Sequence, residues 1–187
     1  DAFTAVKLER WAYPIKQDPA WQQGDYYQSA EKPTDGLATA MAYVTQDALH
    51  PRSFNQKYPS LTKDKAAAIE ITASFSAWDQ LMATARQRSS LQDANHLLYL
   101  VRASQLWRAG MDDNWQHALA KVKAKTLFLP ASGDLLLTAD SAIASQKALQ
   151  ATGNNAQLVE IQGDFGHLDG LFNISTVGPV IQQFLAK

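Results

Sequence analysis

The sequence contains no cysteine. Disulfides, thiolate metal sites and a cysteine nucleophile are therefore excluded. The compartment stays open, because both a reducing cytoplasm and an export route tolerate a cysteine-free chain. No apolar run approaches the roughly 18–20 residues that a membrane span needs. An excess of one charge is also missing: 17 Lys and Arg against 18 Asp and Glu leave a net charge of −1. The basic residues are scattered rather than gathered in a stripe, so nucleic acid is not an expected partner. There is no HExxH and no cluster of carboxylates, so neither a metal nor a cofactor is expected. Internal repeats and low-complexity segments are absent as well.

What is present is an ordinary globular composition, 46% hydrophobic and 19% charged over 187 residues. That length is typical of one domain with a core of its own. The chain opens on Asp1 rather than Met, and the expectation is a processed product or a piece of a longer protein.

Two regions differ in pattern. Residues 1–121 read as mainly helical. TAVKLERWAYPIK predicts a helix broken near Pro14. KPTDGLATAMAYVTQDALHP places Thr34 and Asp35 before an apolar-periodic run and stops near Pro51. TKDKAAAIEITASFSAWDQLMATARQRSS predicts a long helix from near Thr62, weakened by the β-branched IEIT. SLQDANHLLYLVRASQLWRAG carries Leu97, Leu98, Val101 and Leu106 at helical spacing, with Asp93 to cap it and Gly110 to end it. The aromatic residues Trp11, Trp21, Trp78, Tyr99 and Trp107 are expected in the core.

Residues 122–187 change to βαβα. KTLFLPAS (Lys125–Ser132) is a short apolar run bounded by turn residues, which predicts a strand buried on both faces. A helix follows over about Asp140–Thr152, then a second strand AQLVEIQ (Ala156–Gln162), a loop, and a last helix over about Thr176–Ala186. This order implies α/β architecture with a parallel sheet. Two parallel strands do not make a stable buried sheet alone. More strands are therefore expected ahead of Asp1.

Asp134 lies just past the first strand, in PASGDLLLT, and His167 just past the second, in GDFGHLDG. Sites in open parallel sheets form at the carboxyl ends of strands, so adjacent strands would join loops 33 residues apart. An aspartate that fixes a histidine's tautomer lets the histidine deprotonate a serine. In α/β-hydrolases the chain order is serine, acid, histidine; Asp134 then His167 fits the second half. Either residue alone is more commonly an ordinary turn or loop residue. Asp164 and Asp169, flanking the histidine, are weaker candidates for its partner. His50, His96 and His117 read as structural or solvent-facing. The nucleophile elbow Gly-x-Ser-x-Gly does not occur, and Ser132 has no elbow around it.

Five segments, taken in order, resemble the C-terminal half of a homoserine O-acetyltransferase-like α/β-hydrolase. They are ERWAYPIKQDPAWQQGDY, KPTDGLATAMAYV, LQDANHLLYLVRASQLW, KTLFLPASGDLLLT and GDFGHLDGLF. The resemblance implies that Asp134 and His167 are the triad acid and base and that residues 1–121 are a lid or cap region inserted into the hydrolase fold. Residues 122–187 would be the C-terminal part of the core, with the serine before Asp1. Pairing into a homodimer through the helices is a further implication. Three places depart from the family pattern. Where the family carries an arginine, a tyrosine and an aspartate for homoserine, this sequence has Met41, Ala48 and Leu168, with Asp169 one place late. A zwitterion in a buried pocket needs charged partners, and only Asp169 and Arg102 offer replacements.

The expected chemistry is acyl transfer from an ester or thioester, acyl-CoA included, through a serine ester. Water as acceptor gives an esterase; an alcohol other than homoserine gives an O-acyltransferase. The rival readings are a non-catalytic binding or dimerisation segment and one chain of a two-chain enzyme.

Overall fold

The computed structural model describes residues 2–59, 61, 69–111 and 114–186. They divide into two compact units: Asp1–Gln46 with Phe54–Leu106, and Asp47–Ser53 with Trp107–Lys187.

The first unit is helical. Helix α1 runs Ala2–Gln17 without the expected break, with Pro14 inside it. Pro14 gives up one ladder bond and crowds the carbonyl four residues back. It sits in the last turn, where little ladder remains to disrupt, and Leu8, Trp11, Ala12 and Ile15 bury the helix on either side of it. Helix α2 spans Thr34–Ala48, α3 Pro51–Lys57, α4 Ser76–Ser89 and α5 Ala94–Leu106. Of the long helix expected from Thr62, the described residues hold α4 from Ser76, and the chain just before it is not α-helical. Residues 70–75 form a bend, a turn and irregular chain, which the β-branched Ile71 and Thr72 favour over helix, and residues 62–68 lie outside those described. Ile15, Leu37, Ala38, Met41, Leu81 and Ala85 form the centre of the core. Trp78, Tyr99 and Trp107 do not join it: they are 40%, 76% and 74% exposed, contrary to the expectation from sequence. On α5 only Ala94 and Val101 are buried, so the neighbouring aromatics fall on its outer face.

The sequence segments that carry the family resemblance interlock here. Asp18 accepts from the Ala20 and Gly36 backbone N–H groups, at 3.0 and 2.9 Å. It thereby ties the chain after α1 to the first turn of α2. Gly36 is required by proximity, since a Cβ there would lie 2.6 Å from the Pro14 carbonyl oxygen. Trp21 donates to Asn95 Oδ1 at 2.8 Å, and Asn95 Nδ2 donates to the Gly24 carbonyl at 2.9 Å. Tyr26 donates to Asp93 Oδ2 at 2.5 Å. Asp93 Oδ1 caps α5 through the His96 N–H at 2.8 Å. Burial pushes the Tyr26 hydroxyl upward, and the Asp93 carboxylate beside it adds to the shift. Asn95→Ala removes an acceptor and a donor from this network. It is expected to cost about 1–3 kcal/mol, read as a lower urea midpoint with an unchanged slope.

The second unit holds a two-stranded parallel sheet, β1 (Thr126–Phe128) beside β2 (Ala156–Leu158). Helix α6 (Trp115–Leu119) precedes β1, α7 (Ala139–Ala151) connects the strands, and α8 (Asp169–Phe172) and α9 (Gly178–Leu185) follow. This is the expected βαβα order, and the crossover through α7 is what makes the strands parallel. All three β1 residues are half-buried, not buried on both faces as the apolar run predicts. Among the described residues, β1 has one strand neighbour, and α7 packs against β2. Leu149, Ala156, Ile161 and Val177 are the buried apolar centre. No helix of the described residues is long and apolar enough to cross a membrane.

Candidate active site

Pairing continues past the ends of the two strands. Ile161 N–H donates to the Pro130 carbonyl at 2.8 Å, Ser132 N–H donates to the Ile161 carbonyl at 3.0 Å, and Ala131 bridges Ile161. The backbones therefore leave the sheet side by side, and the loops they enter carry Asp134 and His167.

Asp134 Oδ2 lies 2.8 Å from His167 Nδ1. Asp134 Oδ1 accepts from the backbone N–H groups of Leu136 and Leu137, at 2.8 and 2.9 Å. One oxygen is thus held by the loop's own backbone and the other is aimed at the imidazole. The Asp134 side chain is 7% exposed and that of His167 is 37% exposed. Burial is the largest single influence on Asp134 and pushes its carboxyl up. The hydrogen bonds from His167 and the two N–H groups together outweigh it and leave the carboxyl below the usual range. The hydrogen bond to Asp134 holds His167 above its ordinary value, against the opposing effect of burial. With Nδ1 donating to a carboxylate, a neutral imidazole carries its lone pair on Nε2. That nitrogen is the one able to take a proton from a hydroxyl.

The other sequence candidates fall elsewhere. Asp169 is fully buried. Its Oδ1 accepts from Asn173 Nδ2 at 2.6 Å and from Phe165 N–H at 3.3 Å, while Oδ2 has no partner among the described residues. A Cβ on Gly163 would collide with Asp169 Oδ1 and Asn173 Nδ2. Asp169 is therefore packed beneath the histidine loop and ties together residues 165–173, with no oxygen exposed to a ligand. Asp164 pairs with Arg52 Nη1 at 3.1 Å, leaving Asp134 as the partner of His167. Leu168 is half-buried in the short 3-10 turn Gly166–Leu168. Ala48 presents its carbonyl toward Gly166. Met41 is part of the core of the helical unit, and Arg102 is exposed on α5. Among the described residues no group of three or more His, Asp or Glu side chains could hold a metal ion. A cleft of about 690 Å³ in the helical unit, lined by Pro14, Asp18, Lys32 and Asp35 among others, contains neither member of the pair.

His50 is the neighbour that sequence reasoning missed. Its Cδ2 would lie 3.1 Å from a Cβ on Gly133, the residue before Asp134. No spacing signal links a histidine to loops more than 80 residues away.

No family model matches the chain. The homoserine O-acetyltransferase of Deferribacter desulfuricans is 25% identical over 176 residues, which is 94% of this chain and 46% of that protein. A solved esterase designated E22 is 41% identical with a TM-score of 0.92, over 99% of this chain and 51% of the esterase. The solved homoserine O-acetyltransferase from Bacillus anthracis is 25% identical with a TM-score of 0.91, over 100% of this chain and 50% of that one. The chain thus spans about half the length of the relatives it matches. Fold, order of segments and similarity agree: the chain has an α/β-hydrolase fold and is homologous to the homoserine O-acetyltransferase-like enzymes.

Proposed function

We propose that this chain supplies the acid–base pair of a serine-dependent α/β-hydrolase that cleaves an ester through an acyl-enzyme. The 2.8 Å pairing of Asp134 with His167 Nδ1 carries the reading. The serine belongs to polypeptide outside this sequence, since no Gly-x-Ser-x-Gly occurs in it. Its hydroxyl oxygen attacks the ester carbonyl while His167 Nε2 takes the proton. The tetrahedral intermediate then collapses, and His167 returns that proton to the departing alcohol. Water attacks the serine ester next, again losing a proton to His167, which passes it to the serine as the acid leaves. Asp134 stays ionised and balances the imidazolium in both halves.

Water is favoured as acceptor by the 41% identity to an esterase. The sequence resemblance points the same way: where it implies an arginine, a tyrosine and an aspartate for homoserine, this chain has Met41, Ala48 and Leu168, none of which carries a charge for a zwitterion. The acyltransferase reading has support of its own, the similarity to homoserine O-acetyltransferases along 94% of the chain. On that reading the acceptor is an alcohol other than homoserine and the donor is an ester or an acyl-CoA thioester. Residues 1–121 would serve as its lid. The 187-residue chain alone, lacking the nucleophile, is proposed to be inactive.

His167→Ala in the complete protein is expected to lower p-nitrophenyl acetate hydrolysis about 10⁴-fold or more. A loss under tenfold would sink the enzymatic reading and favour a binding or dimerisation role. Product analysis with an added alcohol separates hydrolysis from transfer.

A further inference from the structure

The segment Asp47–Ser53 belongs to the compact unit of the catalytic loops, although it joins two helices from the first half of the chain. It touches both loops just ahead of the paired residues. Gly166, directly before His167, has φ +68°, and a Cβ there would lie 2.6 Å from the His50 backbone nitrogen and 3.0 Å from the Ala48 carbonyl oxygen. Gly133, directly before Asp134, faces the His50 ring, whose Cδ2 would stand 3.1 Å from a Cβ. The ring is oriented from its other side, where Nδ1 accepts the Arg52 N–H at 3.2 Å. Ser53 is buried, and its hydroxyl donates to the Asp164 carbonyl at 2.5 Å, three residues before His167. Arg52 reaches the Asp164 carboxylate at 3.1 Å.

We infer that residues 48–53 form a brace that sets the distance between Asp134 and His167, with His50 and Ser53 as its positioning residues. The reason is geometric. The two loops leave the sheet together but carry their functional groups two residues beyond Ser132 and six beyond Ile161. Over that span the sheet no longer dictates their separation. A 2.8 Å contact needs both loops located to a few tenths of an ångström, and one rigid segment packed on both supplies a common reference. The contacts are unequal. The Arg52–Asp164 pair is exposed on both sides and contributes little. The Ser53 hydroxyl is buried, and the His50 backbone lies against a glycine that has no room to retreat. These residues touch no reacting atom in the proposal and act through Asp134 and His167.

The inference rests on reading Asp134 and His167 as the working pair. Its test is therefore the pair's hydrogen bond and not turnover. In the intact protein that carries this chain, labelled with ¹³Cε1-histidine, the His167 signal is identified by its loss in His167→Gln and followed against pH. The titratable and charged groups around His167 are Asp134, Asp164, Asp169, Arg52 and His50, and Arg52→Ala serves as the control for loss of the exposed charge. Ser53→Ala and His50→Ala are each expected to lower the His167 midpoint by about 0.5 unit or more, as the bond to Asp134 lengthens. Ser53→Thr, which keeps the hydroxyl, and Arg52→Ala are expected to titrate as the parent does. If Ser53→Ala does not fold, the half-exposed His50 decides the matter. A His50→Ala protein that is natively folded by circular dichroism and titrates at the parent midpoint overturns the brace. Failure of the esterase reading would appear separately, as turnover insensitive to His167→Ala with the titration shifts intact.

Discussion

Gly166→Ala is expected to lower stability by about 2–6 kcal/mol and to uncouple His167 from Asp134. Two effects add. The backbone at Gly166 sits at φ +68°, a region that L side chains enter at a cost of about 1–3 kcal/mol. The new Cβ would also stand 2.6 Å from the His50 nitrogen, and it meets backbone there, not the movable end of a side chain. Overpacking of that kind costs a further 1–3 kcal/mol or so. Relief requires the 3-10 turn Gly166–Leu168 to shift, and His167 moves with it. The measurement is a urea denaturation curve together with the His167 titration. A variant of parent stability and parent midpoint would mean that the turn is not held where the structure places it.

Asp134→Asn is expected to change chemistry more than stability. Asparagine keeps the shape and one oxygen to accept the Leu136 and Leu137 N–H groups. Its amide, unlike the carboxylate, carries no charge and can present an N–H to Nδ1. That would place the imidazole proton on Nε2, where the serine proton must go. The same replacement in serine proteases costs about 10⁴-fold in turnover, and a similar loss is expected here in the complete enzyme. The pH dependence follows from the signs. Asp134 holds the folded-state midpoint of His167 above its ordinary value of about 6.5, so the ion pair's contribution to stability is fully present below that value. It is lost as pH rises through the raised folded midpoint. The Asp134 carboxyl is lowered, so its contribution is present above the ordinary carboxylate range and lost as pH falls through the lowered midpoint. With His167 as the proposed base, turnover of the complete protein should rise with pH around a midpoint above 6.5. In Asp134→Asn the histidine midpoint should drop, which NMR titration reads directly. An unchanged midpoint would mean the pair does not form in solution.

Asp18, Trp21, Tyr26, Asp93 and Asn95 bond to one another or to nearby backbone and assemble the helical unit. Their hydrogen bonds hold the helical unit together, so these landmark residues do structural work there.

By itself the sequence determined the local grammar: helices from apolar spacing and caps, two short strands from apolar runs between turn residues, and a parallel order from the helix between them. It also placed an aspartate and then a histidine just beyond successive strands, because strand ends and loops are written in a few neighbouring residues. Tertiary structure decided what depends on partners distant in the chain. Asp134 meets His167 because pairing extends to Ser132 and Ile161. Asp169, which by position could have faced a substrate, is buried because Gly163 leaves room for its carboxylate and Asn173 for its hydrogen bond. Pro14 stays within α1 because burial outweighs one lost ladder bond. His50 stands against the loops that carry Asp134 and His167 because glycines at 133 and 166 admit it. Each outcome is a matter of space and pairing between segments far apart in sequence, which no local pattern encodes.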